Sequence, residues 1–165
     1  MNTNKTLDIL KTAILLERRG KAFYEQVAAG TKDENTKKFF GLMAEEEQSH
    51  VEFLSRQYNS ISKGGKFEKP VPNGSEQEPE QVLTDAIKKN ISAAGFEAAA
   101  ISAAIDMETR AIEIYSKRAA ETTDPHEKEM YLFLAEWEKG HHKILHELDE
   151  ELKEKIWFDN QFWPF

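Results

Sequence analysis

Cysteine is absent from this 165-residue sequence, which excludes disulfides, thiol nucleophiles, iron–sulfur clusters and every other thiolate metal site. Electrons used by such a chain must come from a partner or a substrate, and any metal must be held by oxygen and nitrogen. Positive charge is also short: 22 Lys and Arg against 30 Asp and Glu leave a net charge of −8. That excludes a sequence-independent nucleic-acid binder and a polybasic membrane anchor. No run approaches the roughly 18 apolar residues of a membrane span, and the polar start Met1–Asp8 does not read as a signal peptide. The expectation is a cytoplasmic protein with neither a nucleic-acid nor a membrane partner. Proline and glycine are sparse, at 5 and 8, and three of each fall within residues 63–80.

What is present is helical periodicity. At 39% hydrophobic residues the chain can bury a core, and its length suits one domain. Four long segments have apolar residues at spacings of three and four with no interior proline. The first runs from about Lys5 to Ala29 and meets Gly30, a residue suited to a left-handed C-terminal position. The second runs from about Asp33 to Ser62 and stops at Gly64-Gly65. The third spans roughly Ile91 to Thr122. The fourth starts at Asp124 as N-cap, with Pro125 in the first turn and Glu127 completing a capping box, and continues to about Lys155. Short connections make hairpins of helices 1 and 2 (5–62) and of helices 3 and 4 (91–155). A long crossover, 63–90, with a short helical stretch at 80–90, joins them. The expected fold is all-α: a four-helix bundle over 1–155, followed by an aromatic tail, 156–165.

The two hairpins repeat. A shift of 91 residues carries Ile14 onto Ile105, Glu17 onto Glu108, Tyr24 onto Tyr115 and Ala28 onto Ala119. It also carries Phe40 onto Tyr131, Ala44 onto Ala135, Glu47 onto Glu138 and His50 onto His141. Six of these residues are ionisable yet sit inside apolar stripes. Glu17 lies among Leu10, Ile14 and Tyr24, and Glu108 among Ile101, Ile105 and Tyr115. Glu47 and His50 lie among Phe40, Met43 and Leu54, and Glu138 and His141 among Leu134, Leu145 and Leu148. Heights agree as well. At about 1.5 Å per residue, Glu17 is some 20 Å from the first turn and Glu47 some 25 Å back down the partner helix, and the second hairpin has the same spacing.

A single Glu-x-x-His on a helix usually marks a solvated face. Two instances, each matched to a stripe-centred glutamate and repeated in tandem, call for a different reading. Burying four unpaired carboxylates costs several kcal/mol each or forces protonation, and no Lys or Arg occupies a matching position in the stripes. Two divalent cations balance four carboxylates, and mixed oxygen and nitrogen ligation suits iron, manganese or zinc. The i, i+3 spacing makes each carboxylate and imidazole neighbours. His126, His142 and His146 read as surface positions. Tyr24 and Tyr115, two turns from the stripe glutamates, read either as core aromatics or as hydroxyls donating to a ligand carboxylate.

The segments ERRGKAFY, EEEQSH, METRAIEIY and EWEKGHH resemble the ligand-bearing helices of rubrerythrin-type, ferritin-like diiron proteins. The ligand pattern of that class, one Glu from each of two helices and Glu-x-x-His from each of the other two, is a general one. The resemblance covers residues 5–62 and 91–152. It implies Glu47 and Glu138 as bridging carboxylates, Glu17 and Glu108 as terminal ligands, and His50 and His141 on one iron each. Two departures stand out. Full-length rubrerythrins carry a Cys-rich rubredoxin domain, and they use a further glutamate three residues after the helix-3 ligand, where this chain has Ala111. Glu113 points about 140° away from Glu108 around the helix and does not replace it. The set is therefore closer to the symmetric one of bacterioferritins. The resemblance implies an oxidoreductase, a homodimer reacting ferrous iron with peroxide or dioxygen and using an external electron donor. Iron storage with ferroxidase activity, and a metal-dependent sensor docking through the aromatic tail, are the alternatives.

Overall fold

The computed structural model describes residues 3–69 and 95–159. Four helices account for nearly all of them: α1 Thr3–Gly30, α2 Glu34–Ser62, α3 Phe96–Glu121 and α4 Pro125–Asp159. α1 packs along α2 and α3 along α4, and α1 also touches α3, forming a ferritin-like four-helix bundle. None of these helices is long and apolar enough to cross a membrane.

Helix ends follow local chemistry. Asp33 accepts from the Thr36 backbone N–H at 2.8 Å and caps α2. At the other end of α2, Gly64 takes φ +77° while its N–H donates to Ile61 O and that of Gly65 to Ser60 O. This is the pairing of a Schellman motif, in which only glycine adopts the left-handed turn without strain. Gly30 departs from the expected left-handed role and stays helical as the last residue of α1. A Cβ there would lie 2.8 Å from the Phe96 ring, so glycine serves close packing between the hairpins. Asp124 caps α4 as expected, accepting from the backbone N–H groups of His126 and Glu127. Glu127 does not close the capping box. Its carboxylate accepts from Arg118 Nη2 at 2.7 Å and Thr122 Oγ1 at 2.5 Å, because a buried carboxylate gains more from a guanidinium than from one amide.

Two boundaries differ from the sequence reading. Gly95 is extended and serves as N-cap, so α3 begins at Phe96. The backbone of α4 continues through residues 156–159, so the proposed tail begins as helix. The rest of the tail, and most of the crossover with its short helical stretch, lie outside the described residues.

The core has two lobes. One gathers Tyr24, Ala28, Phe39, Phe40, Met43 and Ala44 from the first hairpin with Ile101, Ala104 and Leu145 from the second. The other gathers Tyr115, Ala119, Met130, Tyr131, Leu134 and Ala135 from the second hairpin with Leu10, Ala13 and Leu54 from the first. These sets are images of one another under the 91-residue shift, so the bundle has an internal two-fold pseudosymmetry. The first lobe holds the α1–α2 turn and the start of α3; the second holds Phe67, just beyond α2, and the α3–α4 turn. α1 and α3 are therefore antiparallel, and Phe67 and Phe96 lie at opposite ends of the bundle. Between the lobes, in all four helices, lies a layer of buried ionisable side chains.

Candidate metal centre

All six stripe residues meet in that layer. Glu17, Glu47, His50, Glu108, Glu138 and His141 are each at most 3% exposed, which rules out solvation as the means of supporting their charge. They form two overlapping quartets: Glu17, Glu47, His50 and Glu138, and Glu47, Glu108, Glu138 and His141. Within each, one donor atom per residue lies within 4.8 Å of the others, close to the ~4 Å spread of ligands around one ion.

The carboxylates divide by what their oxygens face. Glu138 points Oε1 at His50 Nδ1 (3.0 Å) and Oε2 at His141 Nδ1 (3.4 Å). Glu47 points Oε1 at His141 Nδ1 (3.5 Å) and Oε2 at His50 Nδ1 (3.8 Å). Each thus addresses both histidines. Glu17 addresses only His50, at 2.9 Å, and Glu108 only His141, at 3.7 Å. Gly20 makes room for Glu47: a Cβ there would lie 3.1 Å from its carboxylate carbon.

The tyrosines cross between hairpins. Tyr24 donates to Glu108 and Tyr115 to Glu17, so each hydroxyl orients the carboxylate of the opposite hairpin. Burial, then the charge of Glu108, pushes the Tyr24 phenol well above its usual range, which keeps it a donor.

Proton affinities show the strain of so many charges in one place. Burial, then Glu138 and Glu47, raises Glu17 well above the usual carboxylate range. Burial and Glu138 likewise bring Glu108 up to about 8. For Glu138 burial acts upward but is outweighed by His50 and His141, and the net direction is well down. Glu47 moves down for the same reason, with His141 and His50 overcoming burial. Burial disfavours imidazolium, yet the surrounding carboxylates win and raise both His50 and His141. Without a cation, protons take over the neutralising role.

The donor set fits a metal. His141 Nδ1 and Glu138 Oε1 are buried and point into the cluster without a hydrogen-bond partner; the latter lies 3.0 Å from His50 Nδ1, whose hydrogen bond is made with Glu17 Oε2. A pair of cations would satisfy both atoms and displace the protons. Carboxylates and imidazoles together suit iron, manganese or zinc.

Sequence reasoning missed Glu46, which is 2% exposed and faces His141 Nε2 at 2.5 Å. It lies one residue off the main stripe of α2. The signal available was a second buried row, Phe39, Leu42, Glu46, Phe53 and Gln57. Of the other histidines, His126 and His146 are exposed and His142 is half-buried. His142 stacks on His146 at 6.1 Å along the outside of α4. Ala111 is buried beside the cluster and Glu113 is exposed.

A helical bundle with a buried carboxylate–histidine layer between two core lobes defines the ferritin-like class. The rubrerythrin family model matches residues 8–149, and the chain belongs to that family. Neither the curated proteins nor the solved structures gave a significant match.

Proposed function

We propose that the protein is a diiron oxidoreductase that reacts ferrous iron with hydrogen peroxide or dioxygen in oxidative-stress defence. The observation that carries this reading is the pair of quartets sharing Glu47 and Glu138. Glu17 and His50 would complete one metal position, Glu108 and His141 the other. Two ferrous ions held there would supply one electron each, the pair that with two protons reduces a peroxide to two waters. The protein's own share is to hold the reactants and exclude water. Tyr24 and Tyr115 fix the terminal carboxylates, and the apolar lobes seal the layer from both ends. With no cysteine in the sequence, the reducing electrons come from an external donor. A homodimer in the cytoplasm completes the proposal.

A cavity of about 10 Å³ opens between α1 and α3 onto the four ligand carboxylates. Leu16, Gly20, Met107 and Ala111 rim it, again in pairs related by the repeat. Such a space admits about one water, so it offers a small molecule a narrow approach to the carboxylates. Anaerobic ferrous reconstitution should load two irons per chain, and addition of peroxide should develop ferric absorption within the mixing time. Iron that stays ferrous would overturn the oxidoreductase reading. Ala111→Leu should preserve iron content but slow oxidation by peroxide at least tenfold in stopped-flow measurements. An unchanged rate would mean that the oxidant enters elsewhere.

The nearly symmetric carboxylate set, with Ala111 in place of a seventh ligand, favours one second reading: ferroxidase, with iron as substrate. Repeated ferrous additions under air distinguish the two. A ferroxidase keeps oxidising successive iron equivalents, whereas a resident centre saturates at two.

A further inference from the structure

The proposed ligands are symmetric under the repeat, but their surroundings are not: Leu16/Met107 and Gly20/Ala111 exchange small or apolar residues, and a further pair exchanges a buried carboxylate for an aromatic ring. The 91-residue shift that superposes every proposed ligand turns Glu46 into Trp137. We propose that this makes the two metal positions unequal: the one at His141, backed by Glu46, binds first and holds its metal, while the one at His50 is the labile partner. The proposal rests on the two-metal reading above.

Both histidines turn Nδ1 toward the shared carboxylates, so each leaves Nε2 facing outward. On His141 that nitrogen meets Glu46 Oε2 at 2.5 Å. An N–H donated to a buried carboxylate fixes the tautomer, leaves the Nδ1 lone pair directed at the cluster and makes the imidazole a stronger donor. Glu46 also places a fifth buried negative charge beside this half only, where low dielectric strengthens its attraction for a cation. On His50 the corresponding neighbour is the Trp137 ring, edge-on at 4.4 Å between centroids and 80°. Phe133 packs on that indole and Phe53 on Phe133, which continues the aromatic wall. His50 Nε2 is buried with no hydrogen-bond partner. An aromatic wall neither selects the tautomer nor adds charge, so His50 is the weaker ligand although its Nδ1 lies nearer the cluster carboxylates, 2.9 Å from Glu17 and 3.0 Å from Glu138, than that of His141, 3.4 Å from Glu138 and 3.7 Å from Glu108.

The test is an anaerobic titration of the metal-free protein with Co²⁺, followed by visible absorption and calorimetry. The wild-type chain should bind two equivalents in resolved steps. Glu46→Gln keeps the shape and an acceptor oxygen but removes the charge, and should weaken the first step about ten- to a hundredfold while leaving the second in place. Trp137→Glu should strengthen the second step and draw the two affinities together. General loosening of the bundle would weaken both steps alike, so movement of one step alone is the signature of Glu46. Two indistinguishable wild-type steps, or an unchanged ratio in Glu46→Gln, would overturn the inequality and leave the two-metal reading standing. Failure to bind Co²⁺ at all would overturn both.

Discussion

Replacing Glu138 by alanine is expected to empty both metal positions, taking iron content from two per chain to near zero. Replacing Glu17 or Glu108 should cost about one. The difference follows from where the oxygens point: Glu138 addresses both histidines, while each terminal glutamate addresses one. Removing a shared carboxylate leaves both positions one ligand and one negative charge short. In a layer whose proposed ligands are at most 3% exposed, water cannot make up the charge. Elemental analysis after anaerobic reconstitution, with circular dichroism to show that the helices persist, measures the effect. Retention of one iron by Glu138→Ala would show that Glu138 is not shared.

The metal-free and metal-loaded forms should respond to pH in opposite directions. In the metal-free chain Glu17 and Glu108 have raised proton affinities, Glu108 up to about 8, and both histidines are raised above 6.5. The folded state therefore holds more protons than the unfolded one from about pH 4.5 upward, and stability falls as pH rises, by about 1.4 kcal/mol per pH unit for each excess proton. Glu47 and Glu138 lie below the usual carboxylate value, so their contribution is lost as pH drops through the acid range. The metal-free protein should be most stable in mildly acidic solution and melt at lower temperature at pH 8.5 than at pH 6. Metal must displace those protons, so loading tightens with pH. The loaded protein should then melt higher at pH 7.5 than at pH 5. Thermal melts of both forms across this range check the crossing, and parallel curves would exclude proton–metal exchange at these six residues.

Much of this was legible without coordinates. Helical spacing located all four helices, because a 3.6-residue period with polar interruptions is a local property of the chain. The tandem repeat singled out Glu17, Glu47, His50, Glu108, Glu138 and His141, because ionisable residues inside apolar stripes must share a purpose. Equal hairpin spacing put them at one height. Helix ends were less legible. Gly30 and Glu127 each carry a standard end signal, yet Gly30 lies under the Phe96 ring and Glu127 is taken by Arg118. Both competing partners are remote in the local pattern.

The sequence by itself determined which residues are buried polar, how they are spaced and that two hairpins repeat, since each of these is written in intervals along single helices. Only the tertiary structure decided which hairpin answers which. Tyr24 reaches Glu108 rather than Glu17, and Tyr115 reaches Glu17 rather than Glu108, because α1 and α3 run antiparallel across the pseudo-two-fold axis. Glu46 and Trp137 acquired their roles the same way. Both lie beside the ligand stripe, and what each one touches depends on the facing helix, α4 for Glu46 and α2 for Trp137. Periodicity specifies the face a side chain occupies, whereas the docking of one hairpin on the other specifies its neighbour.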